Sequence, residues 1–189
     1  MKKLFTLIVL MMLGIVGLKA QTAVFDFENN PENWPVGEGV NFADGNLNNP
    51  LTVGEVTLTN VQGDATQPAR IMRANDGISA LYVYKNGSIE FSAATGRALT
   101  KVEVTMKSNT FDLAPSNGTV EDNVWTGNAT NVLFTASANR QMLKIVVTTA
   151  DENDETVKPG YYAITLRDGN KPYVKVELTA TQRTGMHRY

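Results

Sequence analysis

Cysteine is absent from this chain, and its absence removes several classes of protein at once. No disulfide can restrain the unfolded state, no cysteine-ligated zinc or iron–sulfur site can form, and no thiol can act as a nucleophile. A bacterial lipoprotein anchor, which needs a cysteine to carry the lipid, is excluded too. Histidine occurs once, at His187, so there is no histidine cluster for a metal and little material for Ser-His-Asp chemistry. Charge is sparse: 19% of residues carry it, with 17 basic against 19 acidic side chains and a net charge of −2. That balance provides no electrostatic footprint for nucleic acid. Helical patterning is missing as well, since no window of about eleven residues sustains the apolar spacing of an amphipathic helix. The expectation is a chain without cofactor, metal site or catalytic residue, not an enzyme, stabilised by core packing alone.

The material for such a core is present. With 189 residues, 42% of them apolar, the chain is long enough for one well-packed domain and short for two. The first twenty residues read as targeting. Lys2 and Lys3 precede an apolar run from Leu4 to Leu18 broken only by Thr6, and Lys19-Ala20 come next. A run of about 15 residues is short for a membrane span, which needs about 20, and suits the apolar region of a secretory signal. Cleavage is expected after Ala20, giving a secreted or cell-surface protein that starts at Gln21 and has no stable membrane span. Losing Lys2, Lys3 and Lys19 makes the mature chain more acidic. Residues 21–181 are expected to form one domain, and 182–189 a polar tail.

Thr, Val, Asn and Gly dominate the mature chain. The first two favour half-buried pleated surface and the last two favour turns. Alternating runs appear at 24–27, 51–58, 81–84, 88–91, 101–106, 132–135, 143–148, 161–166 and 173–179. About nine short strands separated by turn chemistry predict an all-β protein, an antiparallel β-sandwich or jelly roll.

Two hairpins can be read closely. Tyr84-Lys85-Asn86-Gly87-Ser88-Ile89 holds Asn-Gly, the strongest short hairpin signal. A two-residue loop would pair Tyr84 with Ile89 and Tyr82 with Phe91, placing these four on the core face and Leu81 and Val83 on the other. Tyr82 and Tyr84 resemble a sugar-stacking pair, but on this register they are core residues. In the second hairpin, Tyr162, Ile164 and Leu166 alternate with polar neighbours, as do Val174, Val176 and Leu178. The loop 168–172 closes these two aliphatic sets onto one face, so the hairpin is expected to pack on the sandwich. Tyr161 and Tyr173 then lie on its polar face, about 20 Å apart at ~3.3 Å per residue. The Lys-apolar-X-apolar-Thr pattern at 101–105, 144–148 and 175–179 recurs at unequal separations, as similar half-exposed strands do, and is no solenoid repeat.

The order of these elements carries a resemblance. Val24-Phe25-Asp26-Phe27-Glu28, Asn33-Trp34-Pro35, Gly54-Glu55-Val56-Thr57-Leu58-Thr59, Pro68-Ala69-Arg70-Ile71, the strand and turn from Leu81 to Ile89, Leu99 to Glu103, Trp125-Thr126-Gly127, Val132 to Thr135 and Lys144 to Thr148 succeed one another along the chain. Over residues 24–149 the chain resembles an uncharacterised secreted β-sandwich module of Bacteroidetes-type bacteria, often found beside adhesin, glycan-processing or peptidase domains. The resemblance implies a β-sandwich and supplies no functional residues. Residues 150–189 depart from it.

Chemistry-bearing residues are few. Asp26 and Glu28, two apart, would share a strand face at about 7 Å, within glycosidase range, but with no perturbing partner in view they read as a solvated strand face. Nothing in the sequence places Glu90 near Glu103. The acidic run Asp151-Glu152-Asn153-Asp154-Glu155 has oxygen ligands for calcium, but lacks the glycine of an EF-hand loop and reads as a solvated turn. His187 lies in the polar tail and is expected to be exposed. The Asn-X-Ser/Thr sequences at Asn86, Asn117 and Asn128 read as turns in a bacterial protein. Trp125 is expected to cap the core. Trp34, in a loop with Asn33, is placed either to stack on a sugar ring or, equally, to cover one open end of the sandwich, and Trp34, Asn33 and Tyr161 are the candidate ligand contacts. Two functions are compatible with these residues: a secreted non-catalytic binding module for glycan or a cell-surface protein, using end loops of the sandwich, or a structural part of a surface or fibre assembly using a strand edge.

Overall fold

The fold was taken from a computed structural model, which describes residues 20–108, 110–151, 154–158, 161–166 and 174–179, with side-chain surroundings over 20–108 and 110–150. Sixteen strands are found among the described residues. In chain order they begin with β1 (Gln21–Asp26), β2 (Gly37–Glu38), β3 (Leu51–Val53), β4 (Val56–Val61), β5 (Arg70–Arg73) and β6 (Ser79–Val83). The central part holds β7 (Ser88–Ala93), β8 (Arg97–Met106), β9 (Ala114–Pro115), β10 (Thr119–Glu121), β11 (Val124–Ala129) and β12 (Asn131–Thr135). The chain continues through β13 (Arg140–Asp151), β14 (Asp154–Lys158), β15 (Tyr161–Leu166) and β16 (Val174–Thr179). A 3-10 turn spans Phe42–Gly45. The strands in excess of the expected number are chiefly short: β2, β9 and β10 have two or three residues, too few to show a period of two in sequence.

Two sheets make the sandwich. The larger runs β10-β11-β8-β13-β6-β5-β2, with β1 added to β13; the smaller runs β3-β4-β7-β12-β9. Among the described strands, all pairings are antiparallel except β2 with β5. The twelve-residue β13 organises the large sheet: one edge pairs with β8 along most of its length, while the other serves β6 at Arg140–Met142 and β1 at Lys144–Thr149. Between the sheets lies a core of Phe25, Phe27, Leu58, Leu81, Phe91, Val102, Trp125, Phe134, Ile145 and Val147, among others. Rings join across it: Phe25 meets Phe91 edge-on at 5.8 Å, and Phe134 meets both Phe91 and Trp125. Such edge-to-face contacts add to what area burial alone supplies.

The Asn-Gly segment is not a hairpin, and this corrects the expected register. β6 belongs to the large sheet and β7 to the small one, so Tyr84-Lys85-Asn86-Gly87 crosses between layers. Its turn still uses the expected chemistry: Asn86 has φ +65° and the Gly87 N–H donates to the Tyr84 carbonyl oxygen at 2.9 Å. The turn is held by the chain end of β12 rather than by strand pairing. The Asn86 N–H donates to the Ala136 carbonyl, and the Ala136 N–H donates to that of Gly87. The consequence is a one-residue flip of β6. Leu81 and Val83 are buried at 0% and 1%, while Tyr82 and Tyr84 are only half-buried, on the outer face. Ile89 and Phe91 are core residues as expected, and so are Val102, Val104, Phe134, Ile145 and Val147.

The last hairpin sets the two aliphatic series opposite one another, as expected. Tyr162 pairs with Leu178, Ile164 with Val176 and Leu166 with Val174, and β14 adds to the free edge of β15. These three strands form a sheet of their own. The acidic run is divided between the end of β13 and the start of β14, and no group of three or more metal-ligating side chains occurs among the described residues. Tyr173, His187 and the expected tail lie outside the described residues, as does the targeting segment.

Candidate functional site

The connection from β1 to β3 builds one side of the sandwich and shapes its clearest hollow. Two asparagines turn the chain there, with φ +46° at Asn30 and +55° at Asn33; short polar side chains tolerate this left-handed region best after glycine. The Asn30 side chain then grips the backbone of Trp34 twice. Its Oδ1 accepts from the Trp34 N–H at 2.9 Å, and its Nδ2 donates to the Trp34 carbonyl at 2.8 Å. The indole is fixed against Phe25 (6.0 Å between centroids, 23° between planes) and Phe27 (5.5 Å, 40°). Trp34 is therefore a half-buried ring with its backbone clamped and one side packed on phenylalanines.

Beyond Trp34 lies a hollow of about 80 Å³, open to solvent and lined by Trp34, Pro35, Asn46, Asn49, Leu51 and Ile71. Leu51 starts a strand of the small sheet and Ile71 sits in the large one, so the hollow lies where the layers part. The 3-10 turn approaches β5 closely. A Cβ at Gly45 would fall 1.9 Å from the Ile71 carbonyl oxygen, so no other residue fits there. Asn46, next in sequence, is bridged to Arg70. Its Oδ1 is buried and has no hydrogen-bond partner among the described residues. An orphaned buried acceptor costs on the order of 1–3 kcal/mol. No protein hydrogen bond uses the Trp34 indole N–H among the described residues. The site thus combines an apolar ring, apolar walls and a small number of amide groups, the chemical make-up of a small-molecule pocket, in a hollow smaller than pockets that enclose a whole ligand.

The other candidates separate. Asn33 is exposed and bonds only to its own turn, through Pro31 and Asn30, and it does not line the hollow. Tyr161 opens β15 opposite Thr179. Asp26 and Glu28 are not a carboxylate pair: β1 ends at Asp26 and Glu28 is exposed in the turn after it. Burial alone would push the Asp26 carboxyl up. Hydrogen bonds from the Asn29 side chain and backbone, with Lys144 at 3.2 Å, outweigh burial and hold it below the usual carboxylate value. Glu90 and Glu103 lie on different sheets, bonded to Asn131 and Lys101 respectively. Trp125 is buried at 0%, its Nε1 donating to the Asn117 carbonyl at 2.7 Å. Sequence reasoning missed Asn46, Asn49 and Ile71. The crowding of asparagines in Asn46-Leu47-Asn48-Asn49 was the available signal, and it reads equally as a turn.

Residues 109–189, somewhat under half of the chain, match the glycosyl hydrolase family 92 N-terminal domain. This part of the chain, which runs from the segment before β9 through β16, is similar to a carbohydrate-related β-sandwich module. The match names an N-terminal domain and not the catalytic one. No curated protein and no solved structure matches the chain.

Proposed function

We propose that this protein is a secreted, non-catalytic module that binds carbohydrate in the hollow beside Trp34. The observation that carries the reading is the half-buried Trp34 ring set beside the amide-bearing residues Asn46 and Asn49 in a solvent-open pocket. An aromatic face takes the C–H side of a sugar ring, and an amide takes its hydroxyls. The similarity of residues 109–189 to a domain of a glycosidase family supports the same ligand class. The likeness of residues 24–149 to secreted modules found beside glycan-processing domains, and the apolar N-terminal run, support a place outside the cytoplasm. Assembly through a strand edge is less well supported. In the two larger sheets the strands ending each path have two or three residues, which leaves the six-residue β1 as the edge able to pair with a neighbour.

The test is a glycan-array screen of the secreted chain with Trp34→Ala and Asn49→Ala beside it. Binding to at least one neutral glycan class, lost in both variants, is expected. Asn49→Ala is needed because Trp34→Ala also removes contacts with Phe25 and Phe27. A folded chain that binds no neutral glycan, or a neutral glycan bound by both variants as tightly as by the parent, would overturn the proposal.

A further inference from the structure

The one-residue flip of β6 puts a second set of chemistry-bearing residues on the outer face of the large sheet, away from the hollow. Arg70, Tyr82 and Gln141 lie in register across β5, β6 and β13. Tyr84 lies on the same face, with the Arg70 guanidinium carbon 5.3 Å from its ring centroid, and the Tyr84 hydroxyl reaches the Met72 sulfur at 3.9 Å. Arg70 is unusual here. Only 6% of it is exposed, yet among the described residues no carboxylate pairs with it, although Arg73, Arg97, Arg140, Lys101, Lys107 and Lys144 each have an acidic partner. One hydrogen bond is made, from Nη2 to the Gln67 Oε1. Nε is sealed from solvent without a partner, while Nη1 is also unbonded and is not sealed.

A buried cation without a counter-ion is costly, and the cost falls when an anion reaches it. The open Nη1 suits a carboxylate in particular, through a charge-assisted hydrogen bond. We propose that this face is a binding site for an acidic sugar, a hexuronate residue of a polysaccharide, whose carboxylate meets Arg70 Nη1 while its ring lies over Tyr82. Tyr82 sits directly opposite Arg70, at the roughly 5 Å spacing of cross-strand neighbours, and Gln141 on its other side supplies an amide to ring hydroxyls. The surrounding charges leave the arginine uncompensated: Asp76 is held by Lys107 and Glu38 by Arg73. A tyrosine is neutral at physiological pH, and burial pushes the Tyr82 phenol further up, so this ring does not repel an acid. The site is separate from the hollow and needs no ligand there.

The experiment is titration of the full secreted chain with a short oligogalacturonate and with the same oligomer methyl-esterified, which removes charge and keeps the ring. The acid is expected to bind about tenfold more tightly than the ester, with affinity falling as salt is raised. Arg70→Gln and Tyr82→Ala should each lose about tenfold or more, while Trp34→Ala and Asn49→Ala leave oligogalacturonate binding unchanged. Should Arg70→Gln not fold, Arg70→Lys keeps the charge, removes the guanidinium, and should still weaken the acid selectively. Equal binding of acid and ester, or Tyr82→Ala and Arg70→Lys variants that bind like the parent, would overturn the proposal. Loss through Trp34→Ala and Asn49→Ala instead would move the acid to the hollow and also overturn it. A glycan-array failure at the hollow alone would leave this site standing.

Discussion

Gly127 lies against the face of Trp125 so closely that a Cβ on it would sit 2.3 Å from the indole Cζ2. The two residues are separated by one position on β11, and the absent side chain is what lets the fully buried indole fold back across its own strand. Gly127→Ala should therefore force the indole or the strand to shift. Overpacking of this kind costs about 1–3 kcal/mol, so the melting temperature should fall by several degrees. A thermal scan that matches the parent would show that the indole has room to move.

The crossing at Asn86 makes a second prediction. At φ +65°, asparagine is tolerated and a β-branched residue is not. Asn86→Gly should be nearly neutral, and Asn86→Val should cost about 1–2 kcal/mol. Chemical denaturation of the two variants separates a backbone requirement from any role of the asparagine side chain.

The flip of β6 is directly measurable. Leu81→Ala should cost about 2–5 kcal/mol by opening a cavity in the core, whereas Tyr82→Ala, on the outer face, should cost much less. The hairpin register would demand the reverse order, so comparing the two unfolding midpoints decides between them.

Asp26 sets part of the acid limb of stability. Its carboxyl is held below the usual value in the folded state, so its contribution is present above its unfolded pKa, about 3.9. That contribution is lost as pH falls through the lower folded value. Asp76 and Asp112, hydrogen-bonded to Lys107 and Arg140, act in the same direction. Asp26→Asn should lower stability at neutral pH and flatten its fall between about pH 5 and 2. An acid limb unchanged in Asp26→Asn would mean that the unfolded state holds the same carboxyl equally low.

The C-terminal strands test whether the chain is one unit. The match over residues 109–189 spans both the sandwich strands β9–β13 and β14–β16, and a sheet of three short strands is at the lower limit of what holds by itself in water. A chain ending at Ala150 is expected to be insoluble or to melt well below the parent. An unchanged melting temperature would make the last sheet a detachable element.

The pattern of alternation by itself determined the fold class, the facing of the two aliphatic series in the last hairpin and most of the core. Ile89, Phe91, Val102, Val104, Phe134, Ile145 and Val147 were legible because a strand with one buried face must alternate with a period of two. Trp125 was legible because a large ring beside glycines has few places to go. The sequence could not say which sheet each strand would join. Asn86-Gly87 permits positive φ in a hairpin and in a crossing between layers alike, and only the pairing of β6 with β5 and β13 chose between them. That choice moved Tyr82 and Tyr84 from the core to the outer face and left Arg70 buried beside them with no carboxylate partner among the described residues. Trp34 could be singled out as a residue, but the hollow beside it depends on Asn46 and Ile71, which lie 12 and 37 positions away in the chain. Local propensity is blind to such contacts, since they exist only once two sheets have packed and their edges have been closed by the connecting loop.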